Sequence, residues 1–167
     1  MRHIDPNDLE AAYQMWLDRI ESTHHGANHR INPEASFAPL TKPLADSTMA
    51  LVTTAGVHLD TQEPFHVDTV AGDASWREIP HNVDLGRLRF THTHYDTASA
   101  EQDPNVVLPI DRLTEAAQAG RVGSPAQFHI GMMGFNPDPS QIAGATAPAV
   151  AQRLADAEVD VVLLVPG

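Results

Sequence analysis

The sequence predicts an α/β fold: a mainly parallel sheet flanked by helices, with a long ordered loop inserted after the first strand. Three observations predict it. Four short apolar runs, at 49–54, 88–94, 127–131 and 159–165, are bounded by turn residues, as strands are. Helix-period segments separate the later runs, which is the alternation of an α/β layer. Residues 60–86 show no clear periodicity and hold Pro64, Gly72, Pro80 and Gly86. So long an excursion in a compact domain is usually functional or an interface.

The elements follow in chain order. Residues 7–21 read as an amphipathic helix, because Leu9, Ala12, Tyr13, Trp16, Leu17 and Ile20 recur at spacings of three and four. Asp5 or Asn7 caps its start, with Pro6 near the first turn. The His-rich stretch from His24 to His29 reads as a solvated loop, with metal binding as the alternative. The segment from Phe37 to Leu44 is apolar but broken by Pro39 and Pro43, so it reads as an extended arm packed on the domain. The first strong strand, 49–54, runs into Ala55-Gly56-Val57-His58. Residues 88–94 alternate with period two and read as the second strand, and 97–108 as a polar loop. A helix is predicted at 110–119, with Ile110, Leu113 and Ala117 inward and Gly120 as its stop. The third strand and its exit loop occupy 127–135. An Ala-rich helix is predicted from Ser140 to Ala157, kinked at Pro148 or beginning at Thr146. The last strand is 159–165. The reading is a single domain over 1–167, with the helix and arm in 1–45 and the sheet core in 46–167.

Composition bounds the partners. The formal net charge is −12. That argues against nucleic acid, which needs a basic face, and against an anionic membrane surface. No apolar run approaches the roughly 20 residues that span a bilayer. The N-terminus lacks the apolar core of a signal peptide, so a cytoplasmic protein is expected. There is no cysteine, so disulfides, thiolate metal sites and a thiol nucleophile are excluded within these residues. Histidine is abundant, with ten in 167 residues, and several fall near predicted strand ends.

A parallel sheet delivers the C-terminal ends of its strands to one edge, and ligands of open α/β sheets bind there. Four loops are predicted to gather at that edge: 53–58, 91–96, 131–135 and 165–167. On the predicted second strand, His92, His94 and Asp96 share a face. His58, just past Gly56, is expected to meet that face. His58, His92 and His94 are therefore a candidate set for a divalent metal. His58, His92, His94 and Asp96 equally suit a general acid–base group, and a merely packed, hydrogen-bonded strand is the third reading. Thr54, Gly56, Glu63, Tyr95 and Met133 are the candidate substrate contacts. Asp73, Arg77 and Glu78 read first as surface salt bridges holding the long loop, and Asp103-Pro104-Asn105 as a turn. No nucleophile elbow supports a serine triad.

Taken in order, these pieces resemble a known family. They are Val52 to Leu59, Gln62-Glu63-Pro64-Phe65, Gly72-Asp73, Arg77-Glu78-Ile79-Pro80 and His94-Tyr95-Asp96. Asp103 to Val107, Pro109 to Leu113, Gly120 to Gly123, and Val159 to Gly167 complete the series. Over roughly residues 37–167 the chain resembles the selenoprotein B family of glycine, sarcosine, betaine and D-proline reductases. The resemblance implies a subunit of a reductive-cleavage enzyme acting on a small amino acid or amine derivative. It also implies a selenocysteine or cysteine just after a segment like Leu163 to Gly167, whose selenolate or thiolate attacks the activated substrate. The expectation is then a partner chain that carries this residue and completes both sheet and site, or a sequence that is part of a longer one. A metal-dependent enzyme built on the histidines and a non-catalytic assembly subunit are the alternatives.

Overall fold

The computed structural model describes residues 38–68, 72–93 and 95–167. Pro39–Gly167 forms one compact unit. Met1–Ala38 is a separate unit of which only Ala38 is described. The helix read at 7–21, the His24–His29 stretch and His94 lie outside the described residues.

The main sheet is built on β1 (Thr48–Thr53). Its neighbour β7 (Val161–Val165) runs parallel to it along Met49–Thr53. The two-residue β5 (Ser124–Pro125) and β6 (Phe128–Met132) are also parallel to β1, at its start and end respectively. Because β7 fills one edge of β1 throughout, β5 and β6 share the other. A strand the sequence pattern did not suggest, β3 (Trp76–Pro80), pairs antiparallel with β6 inside the stretch read as a loop. It is polar for a strand because Glu78 is bound by Arg153, Nε to Oε1 at 2.7 Å, and Arg77 lies over Phe65. A second correction concerns the run at 88–94. The strand β4 (Leu88–Phe90) stops short of its end and belongs to a separate antiparallel ribbon with β2 (Val57–Leu59). The pairing runs one residue further, Thr91 N–H donating to the Gly56 carbonyl at 3.0 Å, and stops at Gly56, whose φ of 67° is not that of a strand. A residue with a Cβ at Gly56 would overlap the Thr91 carbonyl.

Helices cover both faces. The short α1 (Ala98–Gln102) lies in the segment read as polar loop, and α2 (Ile110–Gln118) matches its prediction. The last helix runs from Ser140, passes through a π-helical turn at Ile142–Thr146, and continues as α3 (Ala147–Asp156). Pro148 has no N–H to donate, and the widened turn lies just before it. Side-chain alternation splits the core. Ala50, Val52, Phe128, Ile130 and Met132 meet Val150 and Leu154 of α3 on one face. Leu51 and Ile79 meet Val57, Leu88, Ile110 and Leu113 on the other. Burial of such side chains is worth about 1.5–3 kcal/mol each. The described part of the arm, 38–46, is exposed yet tied to the domain: the Leu44 carbonyl accepts from the Gly123 N–H at 3.1 Å, Lys42 pairs with Asp160 at 2.7 Å, and the arm ends in a 3-10 turn at Leu44–Asp46. No described helix is long and apolar enough to cross a membrane.

Candidate functional site

The parallel strands β1, β6 and β7 end at one edge, and their exit loops touch. Thr54 ties two of them together. Its N–H donates to the Val165 carbonyl at 3.1 Å, and its hydroxyl accepts from the Gly167 N–H at 3.1 Å. The β6 exit joins through a bridge between Ala55 and Met133, and the Gly56 N–H donates to the Met132 carbonyl at 2.8 Å. Gly134 then passes close to both partners. A Cβ on it would stand 3.0 Å from the Thr54 carbonyl oxygen and 3.2 Å from Nε2 of His92.

Tyr95 fixes the loop that carries His92. Its hydroxyl donates to the Ala55 carbonyl at 2.9 Å. Its ring lies 4.7 Å from the His92 ring, tilted by 52°. Burial, and then the charge of Glu101, push the Tyr95 hydroxyl pKa upward, so the phenol is neutral near pH 7. The edge thus assembles an imidazole, a neutral phenol, a threonine hydroxyl and glycine backbone. Such a group can bind a small polar ligand and transfer a proton to or from it.

The structure sorts the predicted site residues. His92, Tyr95, Thr54 and Met133 come together at this edge, although His92 is carried by a loop and not by the period-two strand that motivated it. Met133 is buried, and its carbonyl accepts from the Asn136 side chain at 2.7 Å. Gly56 is present too, but the close approach it allows is to Thr91 of the same chain. His58 is committed elsewhere. It is buried on β2, and its Nδ1 lies 2.8 Å from the Leu59 carbonyl. A carbonyl only accepts, so Nδ1 carries a proton, and Nε2 lies 2.8 Å from the Thr91 hydroxyl. Both ring nitrogens are thus hydrogen-bonded within the chain. Asp96 is exposed and accepts from the Ala98 N–H at the start of α1. Glu63 is exposed, its side chain 76% accessible, with His66 at 3.9 Å. Among the described residues no three His, Asp or Glu side chains are grouped to hold a metal ion.

Sequence reasoning passed over Gly134, which closely approaches both Thr54 and His92. The signal was there, a glycine just past a buried strand. It also passed over a buried polar chain under the sheet. Leu51 N–H donates to Nδ1 of the fully buried His129 at 3.1 Å. The His129 Nε2 proton is then donated to Nδ1 of His81 at 2.9 Å, and His81 Nε2 donates to the Thr114 hydroxyl at 3.2 Å. Thr114 donates onward to the Ile110 carbonyl. Every atom of the chain has a role only if both imidazoles are neutral.

Comparison with known proteins fits this architecture to a family. The family model described as glycine/sarcosine/betaine reductase selenoprotein B matches residues 4–166. The chain belongs to the selenoprotein B family. The D-proline reductase subunit gamma of Acetoanaerobium sticklandii is 36% identical over 137 residues, which are 82% of this chain and 55% of that protein. The betaine reductase complex component B subunit beta of Peptoclostridium acidaminophilum is 26% identical over 131 residues, 76% of this chain and 29% of that protein. The chain therefore spans about half the length, or less, of these selenoprotein B relatives. No solved structure matches it.

Proposed function

We propose that this chain supplies one wall of a reductase site for a small amino acid or amine derivative, at the edge where β1, β6 and β7 end. We assign the nucleophile, a thiolate or selenolate, to a partner chain or to residues beyond those given, because these 167 residues contain no cysteine. In reductive C–N cleavage the nucleophile attacks carbon, the C–N bond breaks, and the departing nitrogen needs a proton. His92 is the group we assign to deliver it, with Tyr95 holding the ring in place and Thr54 lining the pocket. Asp96 stays in the proposal as a flanking group, and His94, outside the described residues, stays as a candidate from its place in the sequence. His58 acts only through Thr91, as a positioning residue.

The single observation that carries this reading is the close approach of Gly134 to both Thr54 and His92, with the Gly167 N–H bound to Thr54. The partner docks along β7. Register puts Leu163 on the face of Leu51, and Val162 and Leu164 on the face of Ala50 and Val52. All three are exposed, Leu164 by 72%. A strand apolar on both faces is patterned for burial between layers, which helps explain why a partner is needed.

The test is co-expression with the Cys- or Sec-bearing component and an assay of amine release. His92→Ala should lower turnover at least about a hundredfold with little change in melting temperature, the usual size of a lost acid–base group. Wild-type turnover in His92→Ala would remove His92 from the site. Activity of the partner without this chain would remove the chain from the reaction.

A further inference from the structure

The two edges of the main sheet are unlike. At one, β3 is guarded as edge strands are. It carries Arg77 and Glu78, Glu78 is bound by Arg153, and the Glu78 carbonyl accepts from the Gln62 side chain at 2.9 Å. At the other, β7 reads Val161-Val162-Leu163-Leu164-Val165, with no charge and no proline. Among the described residues it pairs with β1 alone. Both core layers stop at β1, and no side chain of β7 enters either. The exposure of β7 is not fraying. Asp160 N–H donates to the Thr48 carbonyl at 3.0 Å just before the strand, and the Val165 carbonyl accepts from the Thr54 N–H at 3.1 Å at its end.

The phase of the hydrogen bonds tells which backbone groups are left over. Leu51 N–H points away from β7, to His129, whereas Thr54 N–H points to Val165. Successive residues of a strand turn their N–H and C=O to opposite sides, so the even-numbered residues of β1 face β7. Val52 stands opposite Leu164, and in a parallel ladder its two bonds go to the residues on either side, Leu163 and Val165. The N–H and C=O groups of Val162 and Leu164 therefore lie on the free edge. They are held in strand geometry by their neighbours and are ready to pair.

We infer that the component carrying the thiolate or selenolate adds a β-strand to this edge, parallel to β7 and hydrogen-bonded to Val162 and Leu164. The inference rests on the reductase reading and says how that component is held. The direction follows from the side chains. Val162 and Leu164 on one face and Leu163 on the other are all exposed, and strands apolar on both faces belong to parallel sheets covered on both sides. A segment added to a sheet edge takes affinity from its backbone and specificity from its side chains, so the added strand is itself apolar. A second copy of this chain is the poorer occupant, since two chains of net charge −12 repel each other. The D-proline reductase subunit gamma has nearly half its length outside the stretch matched here, enough for a strand and its covering layers.

The experiment uses the full chain, alone and with the co-expressed Cys- or Sec-bearing component. Amide hydrogen exchange should find Val162 and Leu164 fast in the chain alone and Leu163 and Val165 slow, with Val162 and Leu164 becoming slow in the complex. Proline at an outward edge position removes a donor that the chain itself does not use. Leu164→Pro should therefore keep a melting temperature close to wild type. It should bind the component at least about tenfold more weakly than Leu164→Ala, which keeps the N–H. Val162→Pro repeats the test at the other outward donor, and the exchange result stands by itself if a proline variant does not fold. Equal affinity of Leu164→Pro and Leu164→Ala would overturn the inference while leaving the reductase reading in place. So would unchanged exchange at Val162 and Leu164 in the complex, or a dimer of the chain alone that Leu164→Pro dissociates, which would give the edge to a second copy. No complex with the wild-type chain would overturn the inference and the reductase reading together.

Discussion

Lowering the pH from 7 to 5 should destabilise this protein through His129. The imidazole is fully buried, and burial, followed by the neighbouring His81, pushes its pKa from 6.5 down to about 3. The unfolded chain takes up a proton near 6.5 that the folded chain refuses until about 3. A depressed histidine therefore contributes nothing to the pH dependence above 6.5, and stability is lost as the pH falls below that value. At pH 5, about 1.5 units below 6.5, the loss from this one group is roughly 2 kcal/mol. That corresponds to a drop of about 4–8 °C in melting temperature for a chain of this size. His81 adds in the same direction, because burial lowers its pKa too, with Asp111 opposing. The carboxylates with lowered pKa, Asp60, Asp73, Asp103 and Asp160, lose their contribution only at more acid pH. The measurement is urea unfolding at pH 7, 6 and 5 on wild type and His129→Leu. The variant starts about 1–3 kcal/mol less stable at pH 7, since Leu51 N–H loses its acceptor, but its stability should fall much less toward pH 5. An equal slope in both proteins would refute the reasoning, because the titrating group would then lie elsewhere.

Three further outcomes follow from single contacts. Gly56→Ala should cost about 2–4 kcal/mol in urea unfolding, because the left-handed backbone and the Thr91 carbonyl both oppose a Cβ there. A loss under 1 kcal/mol would mean the ribbon shifts easily. Tyr95→Phe should cost about 1 kcal/mol, the hydrogen bond to Ala55, and should lower turnover of the reconstituted enzyme through a looser His92. Leu164→Lys should leave the chain's own stability within about 0.5 kcal/mol, as an exposed substitution does, yet weaken its association with the partner in sedimentation. Unchanged association would move the docking surface off β7.

The legible parts of the fold were those whose pattern is set by burial alone. β1, β6 and β7 are apolar runs, and α2 and α3 keep the helix period, so sequence and structure agree on them. β3 was hidden because its polar side chains are satisfied by tertiary partners, Glu78 by Arg153, which also stacks over Phe128. The ribbon was misjudged because alternation continues through His94 in the sequence, whereas the strand stops where its partner does. His92 was reached from a wrong premise and lies at the strand exits all the same. The gathering of loops at one edge, which depends only on parallel strands, was the stronger part of the argument. His129 was invisible for a different reason. Two extra residues separate the pairings Met49↔Pro125 and Val52↔Ile130, and the Leu51 N–H in that gap turns to His129 for an acceptor. Nothing in the strand's own pattern announces a missing ladder bond.

Docking along β7 and assembly of the site are coupled by geometry. Thr54 receives a hydrogen bond from the Gly167 N–H and donates its own N–H to Val165, so it is held by the exit of β7 as much as by β1. Gly134 lies against that same residue and against the His92 ring. An edge strand whose apolar side chains are exposed on both faces is held by one ladder only, and its last turn has the most freedom to move. Covering Leu163 and Leu164 would remove that freedom and fix Thr54, and with it the position of the His92 ring. On the proposed reading a partner would do more than bring a nucleophile. By burying β7 it would also set the wall against which the substrate is held, so a partner variant that docks weakly should lose turnover even at saturating substrate.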